Sequence, residues 1–229
     1  MKKDSLKQNR HPVLKIGLLI LLILPIFFYK GEEIIELGEE LIDNAFHDSY
    51  VISDVPNYHQ YPDAVNGCES YALTMALHTK GYALEYSAYE ISEMIPMSDE
   101  FNPHLGYVGN QYVDDSMVAT IYPDALIDFV REFAPNSYDA TGFSINDLKR
   151  EVKKGNPVII WGSLNYFEEP NMYEYDFGYE PDNGHTVLMY GYTDDGIYIS
   201  DSIYGYYWLP QKRIEQAYNA RGRMAIVIK

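Results

Sequence analysis

The chain has a single cysteine, Cys68, in 229 residues. A lone thiol cannot close an internal disulfide, so no disulfide framework holds this protein together. The six histidines are scattered and offer no ligand spacing with that cysteine, so no metal site and no cofactor are expected. Basic side chains are scarce: 17 Lys and Arg stand against 34 Asp and Glu, a formal charge of −17. An acidic body of this kind repels phosphate backbones, which excludes nucleic acid as a partner class. Long hydrophobic runs are lacking too. The one extended apolar run, residues 16–29, has fourteen uncharged residues, short of the ~20 that a spanning helix needs.

What is present begins with that run. Residues 1–29 carry five basic residues against Asp4, a balance of +4 that leaves −21 for the rest. A basic n-region at 1–15 followed by the apolar segment at 16–29 matches a secretory signal. No Ala-x-Ala-like cleavage pattern follows, so the segment reads as an uncleaved anchor or as a removed signal peptide. Val13 and Leu14 extend it if Lys15 snorkels. The basic flank stays inside, and the C-terminal body is expected outside, either on the cell membrane as a single-pass protein or secreted. Residues 30–49 read as an acidic juxtamembrane stalk, with Ile34, Ile35, Leu37, Leu41, Ile42, Ala45 and Phe46 at helical spacing. The domain proper is expected over 50–229.

Within the domain, residues 50–56 read as an opening strand, and a helix starts at Cys68, with Gly81 able to end it. Ser87-Ala88-Tyr89-Glu90 is a capping box before a short helix. Residues 101–117 are loop-like. Residues 123–133 read as a helix, and Ser144 caps another that runs through Lys154 and stops at Gly155. Strands are then expected at 157–162, 186–192, 197–201, 206–209 and 224–228, the second and third joined by a turn at 193–196. Helices first and antiparallel strands later argue an α+β fold. Residues 166–183, rich in Tyr, Glu, Asp and Pro, read as an excursion over one rim. Tyrosine is over-used, with 23 against 9 Phe and 2 Trp, which suits a half-wet cleft. On that rim Tyr166, Tyr173, Tyr175 and Tyr179 are candidate substrate contacts.

Cys68 stands at the first turn of its helix, where unpaired N–H groups and the helix dipole favour thiolate. By position alone it is a nucleophile or a small buried hydrophobe. A bare thiol kept outside the cell favours the first reading. A nucleophile needs a base and a group to orient that base. His11 lies in the targeting segment, His47 in the stalk, and His59 and His104 in loops. His78 is ten residues along the Cys68 helix, about 15 Å away on the axis. His185 opens a strand after Asn183-Gly184, and Asp201 ends the next strand of the hairpin. Antiparallel pairing through the 193–196 turn then sets the two side by side. Gln60, eight residues before Cys68, can donate to an oxyanion together with the Cys68 N–H.

The runs Gln60-Tyr61-Pro62 … Gly67-Cys68-Glu69-Ser70, then Gly155-Asn156-Pro157-Val158-Ile159-Ile160, then Gly184-His185-Thr186-Val187 … Gly191-Tyr192 … Asp201 resemble the double-glycine-peptidase-like cysteine peptidases. These are bacterial papain-fold relatives of bacteriocin-leader peptidases. The resemblance spans roughly residues 50 to 229. It implies a papain-like fold, N-terminal helices packed on a C-terminal antiparallel sheet, with a peptide or protein substrate. It implies Cys68 as nucleophile, His185 as base, Asp201 as orienting acid and Gln60 as oxyanion donor. Gly67 and Gly184, beside the nucleophile and the base, join Tyr173 and Tyr175 as expected substrate-binding positions. Members commonly carry Asp-Pro at the acid, whereas Asp201 is followed here by Ser202. Two rival readings stand beside a cysteine peptidase. One is an amidase or acyl transferase on the same nucleophile. The other is a non-catalytic ectodomain binding a peptide or wall polymer.

Overall fold

The computed structural model describes residues 49–114 and 116–229. The n-region at 1–15, the apolar segment at 16–29 and the stalk up to residue 48 lie outside the described residues. Among the described residues no helix is long and apolar enough to cross a membrane.

Among the described residues, six helices and nine strands follow one another. The helices are α1 (Cys68–Thr79), α2 (Ala88–Met94), α3 (Pro123–Phe133), α4 (Ile145–Lys153), α5 (Leu164–Phe167) and α6 (Gln211–Ala220). The strands are β1 (Tyr50–Val51), β2 (Tyr138–Asp139), β3 (Val158–Ser163), β4 (Met172–Tyr175), β5 (Gly178–Pro181), β6 (Gly184–Thr193), β7 (Gly196–Asp201), β8 (Gly205–Pro210) and β9 (Ala225–Val227). An antiparallel sheet runs β2-β9-β3-β6-β7-β8, and β1 also pairs with β6. The pair β4-β5 forms a separate two-stranded ribbon.

Local chemistry sets the helix ends. Ser87 accepts from the Glu90 N–H while Glu90 reaches back to the Ser87 N–H, and Ser144 and Asp147 repeat that reciprocal cap. Pro123 stands at the start of α3, where its missing N–H costs nothing. After α4 the chain turns back at Gly155 with φ +78, a left-handed conformation that favours glycine.

The sheet is covered on both faces. Ile159, Trp161, Leu188 and Ile226 pack against α1, Ile91 of α2, and Leu126 and Val130 of α3. The alternate residues Val158, Ile160, Val187, Met189, Ile197 and Ile199 pack against Ile145, Leu148 and Val152 of α4 and Ile214, Ala217 and Tyr218 of α6. A strand buried on both sides reads as a continuous apolar run, which is why Val158-Ile159-Ile160-Trp161 shows no alternation. The helix α1 buries almost its whole circumference, with Ala72, Leu73, Met75, Ala76 and Leu77 all inside.

The α+β expectation holds, with three refinements. The opening strand is two residues long rather than seven. Helix α6 lies between two strands where none was foreseen; Ile214, Ala217 and Tyr218, at helical spacing, bury it on the sheet. The rim excursion contains the β4-β5 ribbon.

Candidate active site

Helix α1 begins at Cys68 itself. Gly67 before it supplies no side-chain cap, and a Cβ there would stand 2.8 Å from the Cβ of Ala64. The turn that delivers the cysteine is therefore too tight for a larger residue.

The imidazole and the carboxylate come from adjacent strands. His185 is the second residue of β6 and Asp201 the last of β7. Their pairing is not uniform. Thr193 pairs with Gly196 and Gly191 with Tyr198, but Met189 pairs with Ile199, so Tyr190 is an extra residue on β6. Side chains alternate between faces along a strand. Had the register set at the turn continued unbroken, Asp201 would stand opposite Leu188, on the face away from His185. With the bulge it falls opposite Val187, diagonal to His185 and on its face. The expectation that the 193–196 turn alone sets this pair is corrected: the turn makes the strands neighbours, and the bulge gives the two side chains a common face.

His185 Nε2 lies 3.0 Å from Asp201 Oδ1, with both side chains buried. Asp201 Oδ1 also accepts the Ile203 N–H at 2.7 Å, and Oδ2 accepts the Tyr207 hydroxyl at 2.7 Å. Burial pushes the Asp201 carboxyl up, but His185, the Ile203 N–H and the Tyr207 hydroxyl together hold it below the usual carboxylate range. An ionised Asp201 accepts only, so Nε2 carries the proton and Nδ1 is left as the basic nitrogen.

Cys68 makes its hydrogen bond elsewhere. Its thiol donates to Glu69 Oε2 at 3.2 Å, and Glu69 Oε1 accepts the Thr120 hydroxyl at 2.6 Å. Burial first, and the Glu69 charge second, push the thiol well above its ordinary value; Thr186, through its backbone and its hydroxyl, pulls the other way and does not prevail. The helix terminus was expected to lower the thiol; with Cys68 buried and bonded to Glu69, its direction is upward. Burial also raises the Glu69 carboxyl, against the opposing pull of Thr120, its own N–H, Cys68 and Arg221.

Gln60 is 1% exposed, and both ends of its carboxamide are engaged. Nε2 donates to the Val65 carbonyl at 2.8 Å, and Oε1 accepts the Ser202 hydroxyl at 2.6 Å. An amide nitrogen has two protons, so one remains for a ligand.

A cavity of about 320 Å³ collects these groups: Gln60, Cys68, Glu69, Gly184 and His185 all line it. So do Glu180 and Arg221, which pair with each other inside the protein, with the Tyr122 hydroxyl donating to Glu180 at 2.5 Å. Asp201 supports His185 from behind and Gly67 lies beneath the helix start; neither lines the cavity. The ribbon reaches the cavity through Glu180 and Pro181 of β5, and not through Tyr173, Tyr175 or Tyr179. Tyr175 instead stacks on Phe177 at 5.2 Å, while Tyr173 and Tyr179 are exposed. The side chain of Tyr166 lies outside the described residues. Among the other histidines, His78 bonds Tyr58 and the Ala83 carbonyl, and His104 bonds Asp124.

Glu69, Thr186, Tyr207 and Ser202 were not singled out as site residues. Only Ser202 had left a signal, as the departure from Asp-Pro.

Comparison with known proteins follows the same stretch of chain. The Peptidase_C39 like family matches residues 52–226. The uncharacterized protein YvpB of Bacillus subtilis (strain 168) is 28% identical over 195 residues, covering 77% of this chain and 75% of that protein. A crystal structure of a candidate C39-like peptidase from Bacillus anthracis superposes with a TM-score of 0.70 at 28% identity, covering 79% of this chain and 97% of that one.

Proposed function

The chain belongs to the Peptidase_C39 like family, and on that premise we propose that it is a cysteine hydrolase, a peptidase acting on peptide or protein substrates. The observation that carries the reading is the His185–Asp201 pair at 3.0 Å, facing the cavity that also holds Cys68 and Gln60. His185 Nδ1 takes the Cys68 proton and the thiolate attacks the scissile carbonyl. The Cys68 N–H and the free Gln60 Nε2 proton hold the oxyanion. His185 then protonates the leaving amine, and water attacks the thioester to release the acid and restore the thiol. Proton transfer of this kind contributes ~10²–10⁴-fold, and each oxyanion donor ~10²–10³. Kinship with the double-glycine leader peptidases belongs to the same reading and rests on the order Gln60, Cys68, His185, Asp201. So does action outside the cytoplasmic membrane, tethered or secreted through residues 16–29. An amidase or acyl transferase would use the same groups on another acyl donor.

The Cys68 thiol, buried and donating to Glu69 Oε2 at 3.2 Å, favours a second reading, a non-catalytic ectodomain that holds a peptide or wall polymer in the same cavity. Labelling by an epoxide inhibitor of thiol peptidases, with peptide-library digestion, separates the two. Hydrolysis predicts labelling and cleavage in the wild type, and neither in a folded Cys68→Ala variant. A wild type that binds peptides but neither cleaves them nor takes the label would leave the binding reading standing.

A further inference from the structure

We propose that Ser202 is a positioning residue that sets the oxyanion donor. This rests on the hydrolase reading and deepens it. The last residue of β7 and the first residue after it have two destinations. Asp201 turns to His185, and Ser202 turns to Gln60. Ser202 is 1% exposed, and its hydroxyl donates to Gln60 Oε1 at 2.6 Å. Its backbone carbonyl accepts the Gln60 N–H at 3.0 Å, so the two residues are joined through side chain and main chain together.

The polarity of a carboxamide matters here. An oxyanion is stabilised by Nε2 and repelled by Oε1, and the two ends differ only by a half-turn of the group. The Val65 carbonyl can only accept, and it holds Nε2. The Ser202 hydroxyl satisfies Oε1, which is otherwise a buried acceptor with no donor. Without that hydroxyl the oxygen seeks a donor elsewhere, and the second Nε2 proton loses its direction. The residue pair Asp201-Ser202 thereby couples the acid that orients the base to the group that holds the oxyanion. Proline at position 202, as in the related pattern, has no hydroxyl and could not make this bond.

Two reactions of the full chain separate the roles. Alkylation of Cys68 by iodoacetamide forms no oxyanion; acylation by p-nitrophenyl acetate does. Ser202→Ala is expected to slow acylation about tenfold, leave alkylation and its pH profile unchanged, and lower kcat rather than raise KM. Ser202→Thr, which keeps the hydroxyl, restores the rate. In a Gln60→Ala background, Ser202→Ala has no further effect. An equal loss in both reactions, or full additivity with Gln60→Ala, would overturn the assignment. An activity-free readout is the side-chain amide resonances of Gln60, which should shift in Ser202→Ala; resonances unmoved would sink the positioning claim by itself. A wild type with no Cys68-dependent acylation would instead remove the hydrolase reading, and the oxyanion role with it.

Discussion

After burial, Glu69 is the next influence on the resting Cys68 thiol. A carboxylate that accepts the thiol proton at 3.2 Å stabilises the neutral thiol, and its charge opposes the thiolate. Glu69→Gln removes the charge and keeps the shape. The apparent thiol pKa should fall, and iodoacetamide alkylation at pH 7 should accelerate severalfold in a pH–rate series. An unchanged profile would mean that burial alone holds the proton. This control was not legible in the sequence, because a glutamate in the first turn of a helix reads as an ordinary favourable charge at the dipole. Its burial beside sulfur depends on Thr120, which approaches from a loop 51 residues away. Cys68, His185, Asp201 and Gln60 were legible because their residue types carry chemistry wherever they fall. Ser202, Thr186 and Tyr207 were not, since a hydroxyl takes its role only from what it touches.

Regular elements follow from short-range rules, and the site depends on an irregular one. The two capping boxes and the β6–β7 hairpin are written in local chemistry, so α2, α4 and the hairpin were readable from neighbouring residues. Helix α6 starts at Pro210–Gln211 without a side-chain cap and breaks a run of strands, which hid it. The bulge at Tyr190 could not be placed either. Within Leu188-Met189-Tyr190-Gly191 only Gly191 points to it, since a glycine inside a strand can mark a bulge without placing it, and the tertiary partner, the Ile52 N–H bonding the Tyr190 carbonyl at 2.9 Å, comes from another strand end. Deleting Tyr190 should close the ladder with Met189 still opposite Ile199 and Val187 still opposite Asp201, so His185 and Asp201 keep their common face. The shortened variant should therefore retain Cys68-dependent turnover and the His185–Asp201 contact, checked by a Cys68-specific label and by structure determination. A folded deletion variant that has lost both would mean that the bulge does more than absorb one residue of register.

At the scale of the whole molecule, an acidic chain of formal charge −17 resists compaction by self-repulsion at low salt, and two buried carboxyls in the site bend its pH dependence in opposite senses. Asp201 is held below its unfolded value, near 3.9, so its stabilising contribution is complete above that pH and is lost as pH falls through the lower folded value. Glu69 is held above its unfolded value, near 4.3, so its contribution is complete below that pH and is lost as pH rises through the folded value. Urea unfolding across a pH series tests both signs at fixed ionic strength. Asp201→Asn should cost stability at neutral pH, with the deficit against wild type closing as both approach acid. Glu69→Gln should be matched with wild type at acid pH and gain on it as pH rises. Added salt should stabilise all three proteins, since screening weakens the general repulsion while leaving the buried pair largely untouched. A Glu69→Gln variant that gains stability equally at every pH would show that the carboxyl binds its proton equally well folded and unfolded, and that burial does not raise it.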